Sequence, residues 1–118
     1  MKQELKRFDV VLVDFGQDVI GSEQGGQRPA LIIQNDLGNT YSPTTIVLPI
    51  TSVLKNLHQP THTLIKNGFE KGLEKDSMIL GEAIRQVSEK RILKYLGKIT
   101  DKNEQEEIKR VYFANFGA

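Results

Sequence analysis

Cysteine is absent from the 118 residues, which excludes a disulfide framework, a thiol nucleophile and a zinc–thiolate site. A reducing cytoplasm is the expected compartment. A dominant charge is also missing: 16 Lys and Arg against 15 Asp and Glu give a net charge of +1 and a pI near 8.0, whereas a general duplex-DNA binder carries a stronger basic bias. No apolar run is long enough for a signal peptide or a membrane span, since Val10 to Val13 is closed off by Asp9 and Asp14. There are only two histidines, His58 and His62, four residues apart around Pro60. That spacing is not helical and no carboxylate triad accompanies it, so no metal or other cofactor is expected and His62 reads as structural. What remains is an ordinary globular composition, 38% hydrophobic and 26% charged with a mean hydropathy of −0.36. It fits a single domain over residues 1–118.

β-branched and aromatic residues predict strands at 8–15, from Pro29 to about Gln34, and at 44–51, 61–65, 77–80 and 83–87. Asn35-Asp36-Leu37-Gly38-Asn39 reads as a turn, as does Lys66-Asn67-Gly68, and Gly81 as a bulge. Pro49 implies an edge position or a bulge in the third strand. Ser88 caps an expected helix over 89–96, in which Ile92, Tyr95 and Leu96 fall at helical spacing before Gly97. Asp101 and Glu104 form a capping-box pattern opening a last helix with the apolar stripe Ile108, Val111, Tyr112 and Phe116. The basic residues Arg85, Lys90, Arg91, Lys94 and Lys98, offset by Glu89 and the later glutamates, read as a solvated face. Strands first and helices late predict a mainly β fold, a small curled antiparallel sheet covered by the C-terminal helix.

The chemistry concentrates in the segment Gly21-Ser22-Glu23-Gln24-Gly25-Gly26-Gln27-Arg28-Pro29, which runs into Ala30-Leu31-Ile32-Ile33. Its glycines let main-chain N–H groups approach a ligand, and Pro29 biases Arg28 toward an extended conformation at the root of a strand. A guanidinium held there has the shape that matches a phosphate. By residues alone, a hairpin arginine in a surface ion pair is an equal reading. Thr51 and Ser52 close an apolar strand, where they either meet the preceding loop or cap the next turn.

Lys6-Arg7-Phe8-Asp9-Val10, the loop at 21–29, Ile33-Gln34-Asn35-Asp36, Ser42-Pro43-Thr44, Ile50-Thr51-Ser52, Pro60-Thr61-His62, Asp76-Ser77 with Ile79-Leu80, and Ile84-Arg85 strongly resemble the MazF/PemK toxins. The match covers about residues 6 to 93 and looks most like the MazF branch of Gram-positive bacteria. The resemblance implies an SH3-like small barrel of the CcdB/PemK type and a homodimer. It also implies the toxin of a type II toxin–antitoxin system, a sequence-specific endoribonuclease (mRNA interferase) whose partners are single-stranded RNA and an acidic, extended antitoxin segment. It places Arg28 on the family's catalytic arginine and Thr51 on its catalytic threonine. Gly21, Ser22, Glu23, Gln24, Gly25 and Gly26 then fall along the RNA path, with Ser52 and Arg85 positioning substrate. Phe8 stands where the family usually has glycine, and Gln86 and Ser88 replace a frequent threonine and aspartate. A set without metal ligands suits attack by the neighbouring 2′-OH, with Arg28 stabilising charge; Glu23 ranks low as a general base. The alternatives are a non-catalytic, CcdB-like gyrase-binding toxin and a silent RNA-binding barrel, neither of which requires Arg28 with Thr51.

Overall fold

The computed structural model describes residues 4–21, 24–66 and 68–117. Among the described residues there are seven strands, β1 (Asp9–Asp14), β2 (Gln27–Ile32), β3 (Thr44–Thr51), β4 (His62–Ile65), β5 (Ser77–Leu80), β6 (Arg85–Ser88) and β7 (Ile92–Lys98), with the helix α1 (Asp36–Tyr41) between β2 and β3 and the helix α2 (Lys102–Phe113) after β7. All strand pairings are antiparallel, in the order β4-β5-β3-β2-β1-β7, with β6 also on β3.

β3 belongs to two sheets. On one side it pairs β2; on the other it pairs β6 from Thr44 to Val47 and β5 at Ile50 and Thr51. Pro49, expected at an edge or a bulge, lies instead in the middle of the fold, opposite Ala30. On its other side it falls in the gap where the neighbour changes from β6 to β5, so no ladder on that side is interrupted by its missing N–H.

Strand alternation sends successive side chains to two cores. Leu5, Val11, Val13, Phe15, Ala30, Ile32, Val47 and Val87 fill the inside of the curled sheet β7-β1-β2-β3-β6. Val10, Leu31, Leu48, Ile50, Ile65 and Ile79 form the other core, which Ile108 and Val111 of α2 cover. The expected covering helix is present, capped by Asp101, whose carboxylate accepts from Glu104 N at 2.9 Å. Its stripe stops short of the sequence reading: Tyr112 is half-buried, while Phe116 lies beyond α2 in a 3-10 turn and is 95% exposed.

Three local readings are corrected. Residues 89–96 are not a helix: Ser88 does cap, accepting from Lys90 N, but the turn lasts only from Glu89 to Arg91 before β7 begins. Pairing with β1 absorbs Ile92, Tyr95 and Leu96 into a strand whose register shifts twice, once between Val10 and Val11 and once between Leu12 and Val13. Asn35 to Asn39 is not a simple turn, because Asn35 accepts from Gly38 N at 2.8 Å and starts α1. Asn39 points inward, bonded to Gln34 and Thr45, which ties that helix to the sheet. At Gly81 the chain makes a 3-10 turn, Gly81–Ala83, rather than a bulge. Asn67, in the turn expected at 66–68, lies outside the described residues.

Candidate functional site

The β1–β2 hairpin keeps its antiparallel pairing past the strand ends, with Phe15 N donating to Gly26 O at 2.9 Å and Gly26 N to Gly16 O at 2.8 Å. Gly26 has φ +72°, a conformation that L side chains rarely adopt, so glycine is needed to close this loop onto itself. Arg28 stands opposite Val13. Its Nε donates to the carbonyl of Gly25 at 2.8 Å, so the guanidinium folds back over its own loop with its plane fixed at one edge. The side chain is half-buried.

Thr51 is the last residue of β3. The β2–β3 pairing ends at Ala30 with Pro49; beyond it, strand alternation puts Arg28 on the face of Ala30 and Ile32, and Thr51 on the face of Val47, near adjoining strand ends. The two residues therefore sit at the mouth of the curled sheet, just beyond its apolar filling. Thr51 Oγ1 accepts from Val53 N at 3.1 Å, which leaves the hydroxyl proton to donate elsewhere.

Arg85 joins the same mouth from β6. It pairs with Val47, and its guanidinium lies 5.4 Å above the Phe15 ring while Nη1 donates to Phe15 O at 3.1 Å. Gln24, Gly25 and Gly26 are half-buried along the hairpin and Gly21 is exposed; Ser22 and Glu23 lie outside the described residues. Ser52 is exposed and follows the opposite alternation to Thr51, lining with Pro29, Leu12 and Lys94 a separate cavity of about 410 Å³. Arg28, Thr51 and Arg85 thus share one face, and Ser52 stands on the other side of the strand end.

Two residues that the sequence reading did not single out for the site complete it. Phe15 is the platform for Arg85, and Arg91, assigned to a solvated face, donates from Nη1 to Asp14 O at 3.1 Å and so braces the root of the hairpin. Neither gives a local signal in sequence, because one reads as a strand apolar and the other as one cation among several. His62 is buried and hydrogen-bonded at both ring nitrogens. Among the described residues no group of three His, Cys, Asp or Glu stands close enough to hold a metal ion, and no helix is long and apolar enough to cross a membrane.

Known proteins resemble this chain in sequence and in fold. The chain is 47% identical over 102 residues to "Endoribonuclease MazF" of Staphylococcus saprophyticus, spanning 86% of this chain and 83% of that protein. It is 44% identical over 97 residues to "Endoribonuclease EndoA" of Bacillus subtilis, spanning 82% of each. Among solved structures, MazF (Form-I) from Deinococcus radiodurans superposes with a TM-score of 0.79 over 99% of this chain and all of that one, at 20% identity. A mycobacterial endoribonuclease in complex with its cognate antitoxin gives 0.77 at 18% identity, covering 96% and 95%. These two show a shared fold. Residues 6–111 match the profile of the PemK-like, MazF-like toxin of type II toxin–antitoxin systems, and the chain belongs to that family.

Proposed function

We propose that this toxin is an endoribonuclease that cuts single-stranded RNA at short sequences without a metal ion, the RNA supplying its own nucleophile. The observation that supports this reading is that Arg28 and Thr51 lie near the adjoining ends of the paired strands β2 and β3, in a chain 47% identical to a named endoribonuclease. In the reaction the 2′-OH forms a bond to the adjacent phosphorus, the P–O5′ bond breaks, and a 2′,3′-cyclic phosphate is left upstream. The 2′-OH proton is lost and the departing 5′ oxygen takes one up, so the products balance. Arg28 stabilises the charge that builds on the non-bridging oxygens, a task that suits a guanidinium because it is a fixed positive fork of N–H donors. The Thr51 hydroxyl, already accepting from Val53 N, donates to the same oxygens or to the 2′-OH. The hairpin residues Gly21 to Gly26 line the RNA path and Arg85, anchored on Phe15, positions a flanking nucleotide at the mouth, while Ser52 meets only RNA that continues round the strand end to its other side. RNA loops and single strands with splayed bases suit such a shallow, weakly charged mouth better than a long duplex does.

The same reading makes the toxin a homodimer working in the cytoplasm, held in check by an antitoxin whose acidic, extended segment covers the Arg28 mouth. Incubating the purified protein with a long RNA in excess EDTA, and mapping the new 5′ ends, tests the central claim. Cleavage should persist and leave 5′-hydroxyl ends, and replacing only the ribose 5′ of the cut with deoxyribose should abolish it. Arg28→Ala should lower the rate by about 10² to 10³, the cost of removing one preorganised donor to a developing oxyanion. Strict dependence on added Mg²⁺, or unimpaired cutting of the deoxy-substituted RNA, would falsify the mechanism.

A further inference from the structure

The connection from β3 to β4, residues 52–61, leaves the site at Thr51 and is exposed from 52 to 60. It is nevertheless gripped from inside. His62, the first residue of β4, is only 6% exposed, and both of its ring nitrogens face acceptors. Nδ1 is 3.0 Å from the carbonyl oxygen of Asn56, and Nε2 is 2.9 Å from Oε2 of Glu82 in the Gly81–Ala83 turn. A carbonyl and a carboxylate offer only lone pairs, and a neutral imidazole has one N–H. The neutral ring would leave one lone pair facing another; the doubly protonated ring satisfies both.

The surroundings hold this arrangement in place. The other carboxylate oxygen of Glu82 accepts from Thr61 Oγ1 at 2.9 Å, and Gly81 N donates to Thr61 O at 2.8 Å. Asn56 has φ +52°, a conformation uncommon for a residue with a side chain, and its carbonyl takes the N–H of Gln59 at 2.9 Å as well as the histidine. The loop is thus bent at Asn56, a residue type that tolerates the left-handed region, and its carbonyl is turned to the ring.

We propose that His62 is a cationic clasp, a positioning residue that fixes the loop leading out of Thr51 and Ser52 and makes RNA handling by that segment depend on pH. The link to RNA rests on the nuclease reading above; the clasp itself does not. Burial alone lowers the ring's pKa, but the bonds to Glu82 and to the Asn56 carbonyl outweigh it and hold the ring above the ordinary 6.5. Burial likewise pushes Glu82 up, and the bonds from His62 and Thr61 bring it below the usual 4.5. The remaining charged groups on the elements packed around the ring are Lys55 and His58 of the loop and, on α2, Lys102, Glu104, Glu106, Glu107, Lys109 and Arg110. Arg110 Nη1 donates to Pro60 O at 3.2 Å while its Nε is engaged by Glu107 at 2.7 Å. A histidine with a raised pKa contributes stability that is complete below its unfolded value and lost as pH rises through the folded one. A carboxylate with a lowered pKa contributes stability present above its unfolded value and lost as pH falls through the folded one. The clasp is therefore closed between the lowered Glu82 and raised His62 values, and opens on the alkaline side.

The test uses the full chain with ¹⁵N-labelled histidine and backbone amides, followed by NMR from pH 5.5 to 9, alongside cleavage of a long mixed-sequence RNA over the same range. At pH 6 the His62 ring should carry two N–H groups, and amides of residues 53 to 58 should shift with its titration. Glu82→Gln should move that midpoint to lower pH, Glu82→Asp should largely restore it, and the alkaline limb of kcat/KM should move with it. A neutral His62 at pH 6 in the wild-type protein overturns the clasp with no variant needed. Loop amides or an alkaline limb that stay put while the ring midpoint moves overturn its positioning role. Absence of RNA cleavage at every pH would count against the nuclease reading alone, with the ring and amide titrations still deciding whether the clasp exists.

Discussion

Phe8 has φ +75°, in the left-handed region that glycine tolerates and a side chain resists. It is locked there because its N–H donates to Ile32 O at 2.8 Å and its carbonyl accepts from Ile99 N at 3.0 Å. The family resemblance marks this position as a usual glycine, and the backbone angle supplies the physical reason. Here the ring packs half-buried against the α2-side core, offsetting strain of about 1–2 kcal/mol. Phe8→Ala loses the packing and keeps the strain, whereas Phe8→Gly loses the packing and relieves the strain. The glycine variant should therefore be the more stable of the two by about 1 kcal/mol, the reverse of their order in a regular strand. Urea midpoints of the pair decide it, and an alanine variant that outlasts the glycine one would mean that the contacts at Phe8 store no strain. At this scale the positions of Arg28 and Thr51 near strand ends were readable from the sequence, while the roles proposed for them rest on the family resemblance. Arg91 and the Asn56–His62–Glu82 contact were not, since they depend on which turns the topology brings together.

Secondary elements were legible where the period of the pattern survives pairing. β3 was read to its exact residues, and α2 was placed by its cap, while β7 was mistaken for helix. The cause lies in its register with β1, where Gly97 faces Val10 but Tyr95 faces Val11, and Lys94 faces Leu12 but Ile92 faces Val13. Each shift leaves one residue, Leu96 and then Leu93, outside the alternation, so a period of two looks like the spacing of a helix. α1 was missed for a different reason: it spans only Asp36–Tyr41, and tertiary bonds from Asn39 to Gln34 and Thr45 stabilise it where helical propensity does not. For α2 the local signal is strong enough to measure. Asp101→Ala removes the acceptor for Glu104 N and should cost about 1 kcal/mol, read as a lower thermal midpoint, with Asp101→Asn close to wild type. An alanine variant as stable as the wild type would mean that α2 is held by its buried face alone.

On the whole molecule, apolar side chains remain uncovered at Val53, Leu54 and Leu57 beside the site, and at Ile84, Phe113 and Phe116 near the end of α2. Isolated exposed apolars are ordinary, but clusters of them next to a site mark surfaces that associate. With closed two-fold pairing the commonest outcome, light scattering at micromolar concentration should give twice the 13.3 kDa of one chain; a value of one chain would reject the homodimer. The SH3-like description and the dimer came from resemblance; a curled antiparallel sheet with its covering helix was readable from strand order, while the sharing of β3 between two sheets was not. The pairing of β1 with β7 also has a consequence in time. A ribosome releases the chain from its N-terminus, so β1 waits with one edge open until residues 92–98 emerge, and the α2-side core waits longer still for Ile108 and Val111. Arg28 and Thr51 leave the tunnel well before the scaffold that orients them can close. The endoribonuclease fold is thereby completed only after residues 92–111 have joined strands made long before them.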